Sequence, residues 1–299
     1  MLPTFYGLCT RLWALRQPKI ERLFYTNGGL GDELMLTAIA AAARAAGKPI
    51  HVIATYPELW RGNPDAASLQ TNLARWQYAQ LRNWLPTSVV HLTYQMGTDR
   101  HIAEQMAEHA AVTLPAEWRP VFPHRKPVNR IPQRIVFHNS CRGARYAAST
   151  KEWSQDRWSS LIAHIAPNFE LIQIGTPADP PLASVVDRRG KTSLASAAEL
   201  IASAQLFVGL ESGLMHVAAA VRTPSVIIVG GRSRPIETCY PFNHNITRTP
   251  ACVACGLNDG CPHGLICLNI PIEEVEAAIR SMAVNHPVYA IPHPGRTNN

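Results

Sequence analysis

Apolar runs of strand length and longer amphipathic stretches alternate along most of this chain. In the first part "KIERLFYT" (19–26) reads as a strand and "DELMLTAIAAAARAAG" (32–47) as a helix ended by Gly47. "PIHVIAT" (49–55) reads as the next strand. A helical pattern over "AASLQTNLARWQYAQLRNWL" (66–85), a strand "SVVHLTY" (88–94) and a helix "DRHIAEQMAEHAAV" (99–112) follow. From about 114 to 133 the periodicity stops, and a proline-rich, basic stretch reads as a linker. The alternation then restarts: strand "RIVFHN" (134–139), a helix over about 154–165, strand "FELIQIG" (169–175) and a shorter strand "SVVDRRG" (184–190). Helix "SLASAAELIASA" (193–204), strand "QLFVGL" (205–210), helix "SGLMHVAAAV" (212–221) and strand "PSVIIVGG" (224–231) come next. An irregular cysteine-bearing segment and a helix "PIEEVEAAIRSMA" (271–283) close the pattern.

Strands separated by helices predict parallel βαβ units, because a parallel pair needs a crossover and a helix is the usual one. The expectation is therefore an α/β protein of two Rossmann-like domains, 1–130 and 131–299. Ligands would bind at the carboxyl ends of the strands, in the cleft between the halves.

Composition narrows the class. At 299 residues, with 46% apolar and 16% charged side chains, the chain suits one large or two medium globular domains. The formal net charge of +7 favours anionic partners. No dense Lys/Arg run with interleaved aromatics occurs, which disfavours nucleic acid. No apolar stretch reaches the roughly 18–20 residues that span a bilayer. The opening "MLPTFYGLCTRLWALRQPK" lacks a signal-peptide core and cleavage site, so the expectation is a cytoplasmic protein with at most peripheral membrane contact. Seven cysteines in such a chain favour thiols or metal ligation over disulfides.

Four stretches carry candidate chemistry. "TNGGLGDELML" (26–36) is neither the dinucleotide fingerprint, since Leu34 stands at the third glycine position, nor a Walker loop. It is a tight strand-to-helix turn that puts Asp32 near a helix N-terminus, as a base or as a simple cap. In "VGLESGLMHVAAA" (208–220), Ser212 and Gly213 open a helix whose free N–H groups suit a diphosphate. Glu211 could accept from a sugar hydroxyl, while His216 could be packing. In "HNSCRGARYAASTKEWSQDRW" (138–158), Arg142, Arg145 and Lys151 could stabilise a leaving diphosphate or form a solvated basic loop. No Asp-x-Asp pair occurs, which argues against a Mg²⁺-held nucleotide sugar. "CVACGLNDGCPHGLIC" (252–267) sets Cys252, Cys255, Cys261 and Cys267 in one short loop, as zinc or iron ligands or as reduced thiols. His244 or His263 could replace one of them.

Together "GGLGDELMLTAIAAAAR" (28–44), "TKEWSQDRW" (150–158), "LFVGLESGLMHVAAAVRTPSVIIVGG" (206–231), the cysteine loop and "IPIEEV" (270–275) resemble glycosyltransferase family 9, the ADP-heptose:lipopolysaccharide heptosyltransferases. The resemblance implies a GT-B fold, two Rossmann-like domains with an interdomain cleft. It implies an inverting, metal-independent transfer of a sugar, heptose from ADP-heptose, onto a lipopolysaccharide-core or related anionic glycan or glycolipid. Asp32 would be the general base, and Lys151 would contact the donor phosphates. The donor site would comprise Arg142, Gly175, Asp179, Glu211, Ser212, Gly213, Leu214, Met215 and His216. No catalytic cofactor is implied. Some relatives that heptosylate autotransporter proteins carry a four-cysteine iron site, so a structural iron or zinc at the cysteine loop is among the implications. A protein acceptor and a catalytically degenerate binding module are the alternatives.

Overall fold

The computed structural model describes residues 12, 22–69, 89–123 and 128–285. The N-terminal extension with Cys9 and most of the stretch read as a helix over 66–85 lie outside these residues. The chain divides into two compact units, 1–94 with 103–123, and 95–102 with 124–299.

The first unit holds a four-stranded sheet of β1 (Leu23–Tyr25), β2 (Ile50–Ile53), β3 (Ala66–Leu69) and β4 (Val89–His91), in the order β3-β2-β1-β4. All its pairings are parallel. Helix α1 (Leu30–Ala45) joins β1 to β2, and its buried Leu34, Met35, Leu36, Ile39 and Ala43 form the apolar face that a crossover helix needs. Gly47, at φ +71°, ends it in the left-handed conformation that follows many helices. Ala66–Leu69 is a strand, not the start of a helix as the sequence pattern predicts. Its register against β2, with Ile50 opposite Ala66 and Ile53 opposite Leu69, supplies the pairing that a run of small residues does not advertise. Helix α2 spans Ile102–His109.

Among its described residues the second unit holds six strands: β5 (Ile131–His138), β6 (Glu170–Gln173), β7 (Val186–Asp187), β8 (Ala204–Leu210), β9 (Ser225–Val229) and β10 (His244–Thr247). Their order is β10-β9-β8-β5-β6-β7, again all parallel. Counted from β5 as the first strand, this is the 3-2-1-4-5-6 order of the doubly wound nucleotide-binding fold. β10 lies within the segment read as irregular; "HNIT" is short and mostly polar, and it is a strand because β9 offers it an edge.

Helices α3 (Gln155–Ile165), α4 (Leu194–Ser203), α5 (Gly213–Ala220), α6 (Pro235–Thr238) and α7 (Ile272–Asn285) belong to this unit. Every residue of β8 is buried, as a central parallel strand covered on both faces must be. Trp153 and Trp158 anchor the core edge-to-face at 5.1 Å, alongside Phe137, Leu161, Val208 and Ile279.

Candidate functional site

In both units the strand order reverses beside the first strand, so each has a switch point where ligands of such sheets bind. In the first unit this point lies between the carboxyl ends of β1 and β4. Tyr25 and His91 stack across it, with ring centroids 4.5 Å apart, and His91 Nε2 lies 3.0 Å from Asn27 Oδ1. Asp32 stands in the first turn of α1 and is buried. Its Oδ2 accepts from Gly29 N–H at 3.3 Å, which caps the helix, and its Oδ1 accepts from the Tyr94 hydroxyl at 3.1 Å. The two carboxylate oxygens therefore have different partners, one on its own helix and one on the chain leaving β4.

The neighbouring acid has another task. Glu33 accepts from the backbone N–H groups of Thr55 and Tyr56 and from Trp60 Nε1–H, at 2.7 to 3.1 Å. Burial pushes its pKa up, against the hydrogen bonds from Tyr56, Trp60 and Thr55 that pull it down. Glu33 ties α1 to the loop after β2, and its side chain is 1% exposed.

In the second unit the switch point lies between β5 and β8. The chain leaves β8 into Glu211 and Ser212 and enters α5 at Gly213. Lys151 ends a short 3-10 turn, Ser149–Lys151, and reaches Glu211: Nζ is 2.7 Å from Oε2 and 3.5 Å from the Glu211 carbonyl oxygen. Ser233 donates to the same Oε2 at 3.3 Å. Lys151, Glu211, Ser212 and Gly213 thus come together. Arg142 turns elsewhere: it pairs with Glu152 at 3.0 Å and remains 63% exposed. His216 is packed inside the unit, its Nδ1 2.7 Å from the Tyr240 hydroxyl oxygen. Burial, with a smaller contribution from His101, lowers its pKa to about 3.

Asp179 follows β6, where a Rossmann sheet often presents an acid to a ribose. Here its carboxylate is committed inward, accepting from Thr176 N–H at 2.6 Å and Gly143 N–H at 3.4 Å, and it is 2% exposed. Burial raises its pKa, but the nearby His138 ring and these N–H groups outweigh burial and hold it below the ordinary carboxylate value. Gly175 has φ +142°, and a Cβ there would stand 2.4 Å from Asp179 Oδ2.

His138, at the end of β5, opens the stretch 138–158 in which the cations Arg142, Arg145 and Lys151 stood out, and it drew no role of its own. Its Nδ1 is 3.0 Å from Ser212 Oγ and its Nε2 is 3.7 Å from Asp179 Oδ2. A lone histidine ending a strand carries no signal until the strand order is known.

Cys252, Cys255, Cys261 and Cys267 border one pocket, with His263 beside them. Among the described residues, no three His, Cys, Asp or Glu side chains converge as a metal-ligating group. The thiols suit zinc or iron chemically, but in this arrangement they do not close a coordination shell. The loop is fastened to the turn that carries Lys151: Thr150 Oγ1 donates to the Leu257 carbonyl at 2.5 Å, Thr150 N–H to the Asn258 carbonyl at 3.2 Å, and Ser149 Oγ to Asp259 Oδ1 at 2.6 Å.

Comparison with known proteins agrees with this anatomy. Residues 132–255 match the model of "Glycosyltransferase family 9 (heptosyltransferase)". Lipopolysaccharide heptosyltransferase 1 of Escherichia coli K12 is 27% identical over 109 residues, a stretch that spans about a third of each protein, 33% of this chain and 34% of the relative. Among solved structures, the iron-containing dodecameric glycosyltransferase TibC from enterotoxigenic E. coli H10407 is similar with a TM-score of 0.70 at 19% identity, covering 89% of this chain and 77% of that one. TibC in complex with ADP-D-β-D-heptose gives 0.68 at 17%, over 91% and 78%. E. coli ADP-heptose lipopolysaccharide heptosyltransferase II gives 0.63 at 15%, over 88% and 99%.

Two parallel Rossmann-like sheets, each with a furnished switch point, define a protein of GT-B fold. The match to the family model spans residues 132–255, less than half of the chain.

Proposed function

We propose that this chain transfers heptose from ADP-heptose to a hydroxyl of a lipopolysaccharide-core or related glycan acceptor, with inversion at the anomeric carbon. The donor assignment draws on the TibC complex with ADP-D-β-D-heptose. The observation that carries the reading is the second unit's switch point, where the Lys151 ammonium lies against the chain just before the opening of α5. A cation and free N–H groups at a helix N-terminus are what a departing diphosphate requires.

In this reading Asp32 takes the proton of the acceptor hydroxyl as that oxygen bonds to the anomeric carbon. The bond from that carbon to the diphosphate oxygen breaks, and its electron pair leaves on ADP. Lys151 and the N–H groups of Gly213 and Leu214 stabilise the charge, while Arg142 would have to release Glu152 to join them. Glu211 holds Lys151 in place and is the acceptor nearest the sugar-phosphate junction. No step runs through a metal. A zinc or iron held by the cysteines would stiffen the loop that pins Ser149–Lys151, and metal content measured under reducing conditions reads that directly.

The test is Asp32→Asn. Transfer from ADP-heptose should fall roughly a thousandfold, the scale of a lost general base, while calorimetric ADP binding stays. Retained turnover removes Asp32 from the mechanism.

A further inference from the structure

Among the described residues of the second unit, three helices are opened by serine, and one of them behaves differently. Ser154 caps α3, its Oγ accepting from Arg157 N–H at 3.4 Å, and Ser193 caps α4, accepting from Ser196 N–H at 3.2 Å. Ser212 stands in the same position at α5, with the extended backbone of a cap residue, yet its side chain makes no capping hydrogen bond. Its Oγ is held by His138 Nδ1 at 3.0 Å instead.

We propose that His138 is a positioning residue of the donor site: by holding the Ser212 hydroxyl, it stops that hydroxyl from capping α5 and leaves the first N–H groups of the helix for an anionic ligand. The inference rests on the donor-site reading above and names the residue that keeps the site open. A serine in the cap position ordinarily turns its oxygen onto the N–H of the second or third helical residue. Met215 N–H already donates to the Ser212 carbonyl at 3.1 Å, so the donor at stake is Leu214 N–H, which a diphosphate would use and a capping Ser212 would take from within the chain.

The imidazole is itself fixed. Its Nε2 faces the Asp179 carboxylate at 3.7 Å, which favours the tautomer with the proton on Nε2 and leaves Nδ1 to accept from the serine hydroxyl. Asp179 is immobilised by Thr176 and Gly143 N–H groups. Gly175 is required because any side chain there would press on both partners, 2.4 Å from Asp179 Oδ2 and 3.2 Å from His138 Cδ2. The loops after β5 and β6 thus converge on one atom of the residue that opens α5.

The experiment is a double-mutant cycle on the full chain, with ADP as the probe and isothermal titration calorimetry as the readout. His138→Ala frees the hydroxyl to cap, and ADP should bind roughly fivefold more weakly, the scale on which a serine cap competes. His138→Asn keeps an amide atom near the place of Nδ1 and should stay within about twofold of the unmodified chain. The decisive comparison is His138→Ala with Ser212→Ala. Without a hydroxyl to cap, the double variant should bind within about twofold of Ser212→Ala alone. If it is weaker than Ser212→Ala by the full factor seen for His138→Ala, His138 acts merely as packing and the inference falls. If the unmodified chain takes up no ADP, the donor-site reading fails first and this inference falls with it.

Discussion

Glu33 presents a contest whose outcome can be worked from its surroundings. The carboxylate is enclosed and faces three donors, Thr55 N–H, Tyr56 N–H and Trp60 Nε1–H, with four contacts of 2.7 to 3.1 Å. Glu33→Ala leaves these donors without a partner. At about 1–3 kcal/mol for each unsatisfied buried group, less what water recovers, the first unit should lose about 4 kcal/mol. Glu33→Gln is a different test. Burial raises the Glu33 pKa, so in the folded chain burial outweighs the donors and ionisation is disfavoured.

For a raised carboxyl, the stability contribution is fully present below the unfolded-state value of 4.5 and is lost as pH rises through the folded pKa. The neutral amide escapes that loss. Glu33→Gln should therefore lie within about 1 kcal/mol of the unmodified chain, and its standing should improve as pH rises from 4 to 8. Urea unfolding followed by circular dichroism at several pH values reads both variants. An alanine variant that loses less than about 1 kcal/mol would refute the argument. So would a glutamine variant that worsens steadily with pH, because it would mean that the donors outweigh burial.

Three further outcomes follow from single features. Gly175→Ala meets both a φ of +142° and a Cβ 2.4 Å from an immobilised carboxylate oxygen, so it should cost about 2–4 kcal/mol on unfolding and weaken ADP binding; an unchanged midpoint would contradict the geometry. Burial lowers the pKa of His216 to about 3 and of His101 to about 4, so the fold favours both neutral rings. Their contribution is present above the ordinary histidine value of 6.5 and is lost as pH falls below it, by at most about 1.4 kcal/mol per pH unit for each ring. Unfolding free energy should drop from pH 6.5 to 4, and His216→Asn should flatten that slope. Tyr94→Phe removes the hydroxyl from Asp32 Oδ1 and should slow turnover about tenfold with ADP affinity unchanged; equal turnover would separate Tyr94 from the acid it touches.

The sequence carried the architecture better than the site. Apolar runs such as "LFVGL" and "SVIIV" are legible as buried parallel strands because both faces are covered, and Gly47 marks a helix end through its backbone freedom alone. Ala66–Leu69 and His244–Thr247 were not legible, since each is made a strand by the neighbour it pairs with. Asp32 stands out in the sequence by its place in the turn, but the structural task of the neighbouring Glu33 becomes visible only with the loop at 55–60 that donates to it. Asp179 looked available because it follows a strand, but the N–H groups that occupy it come from Thr176 nearby and Gly143 far back in the chain.

The chain leaves its first unit after Tyr94 and returns at Ala103, lending residues 95–102 to the second. There the fully buried Glu237 carboxylate accepts from Gly97, Thr98 and Arg234 N–H groups, and Arg234 pairs with Asp99. During synthesis this strap emerges 140 residues ahead of the carboxylate that fastens it. The second unit therefore completes the hydrogen bonds of Glu237 only with residues from outside its long contiguous segment. A fragment begun at residue 124 would carry a buried acid stripped of two of its three donors, and gene dissection at the proline-rich stretch should yield a weaker fold than the same residues have in the whole chain.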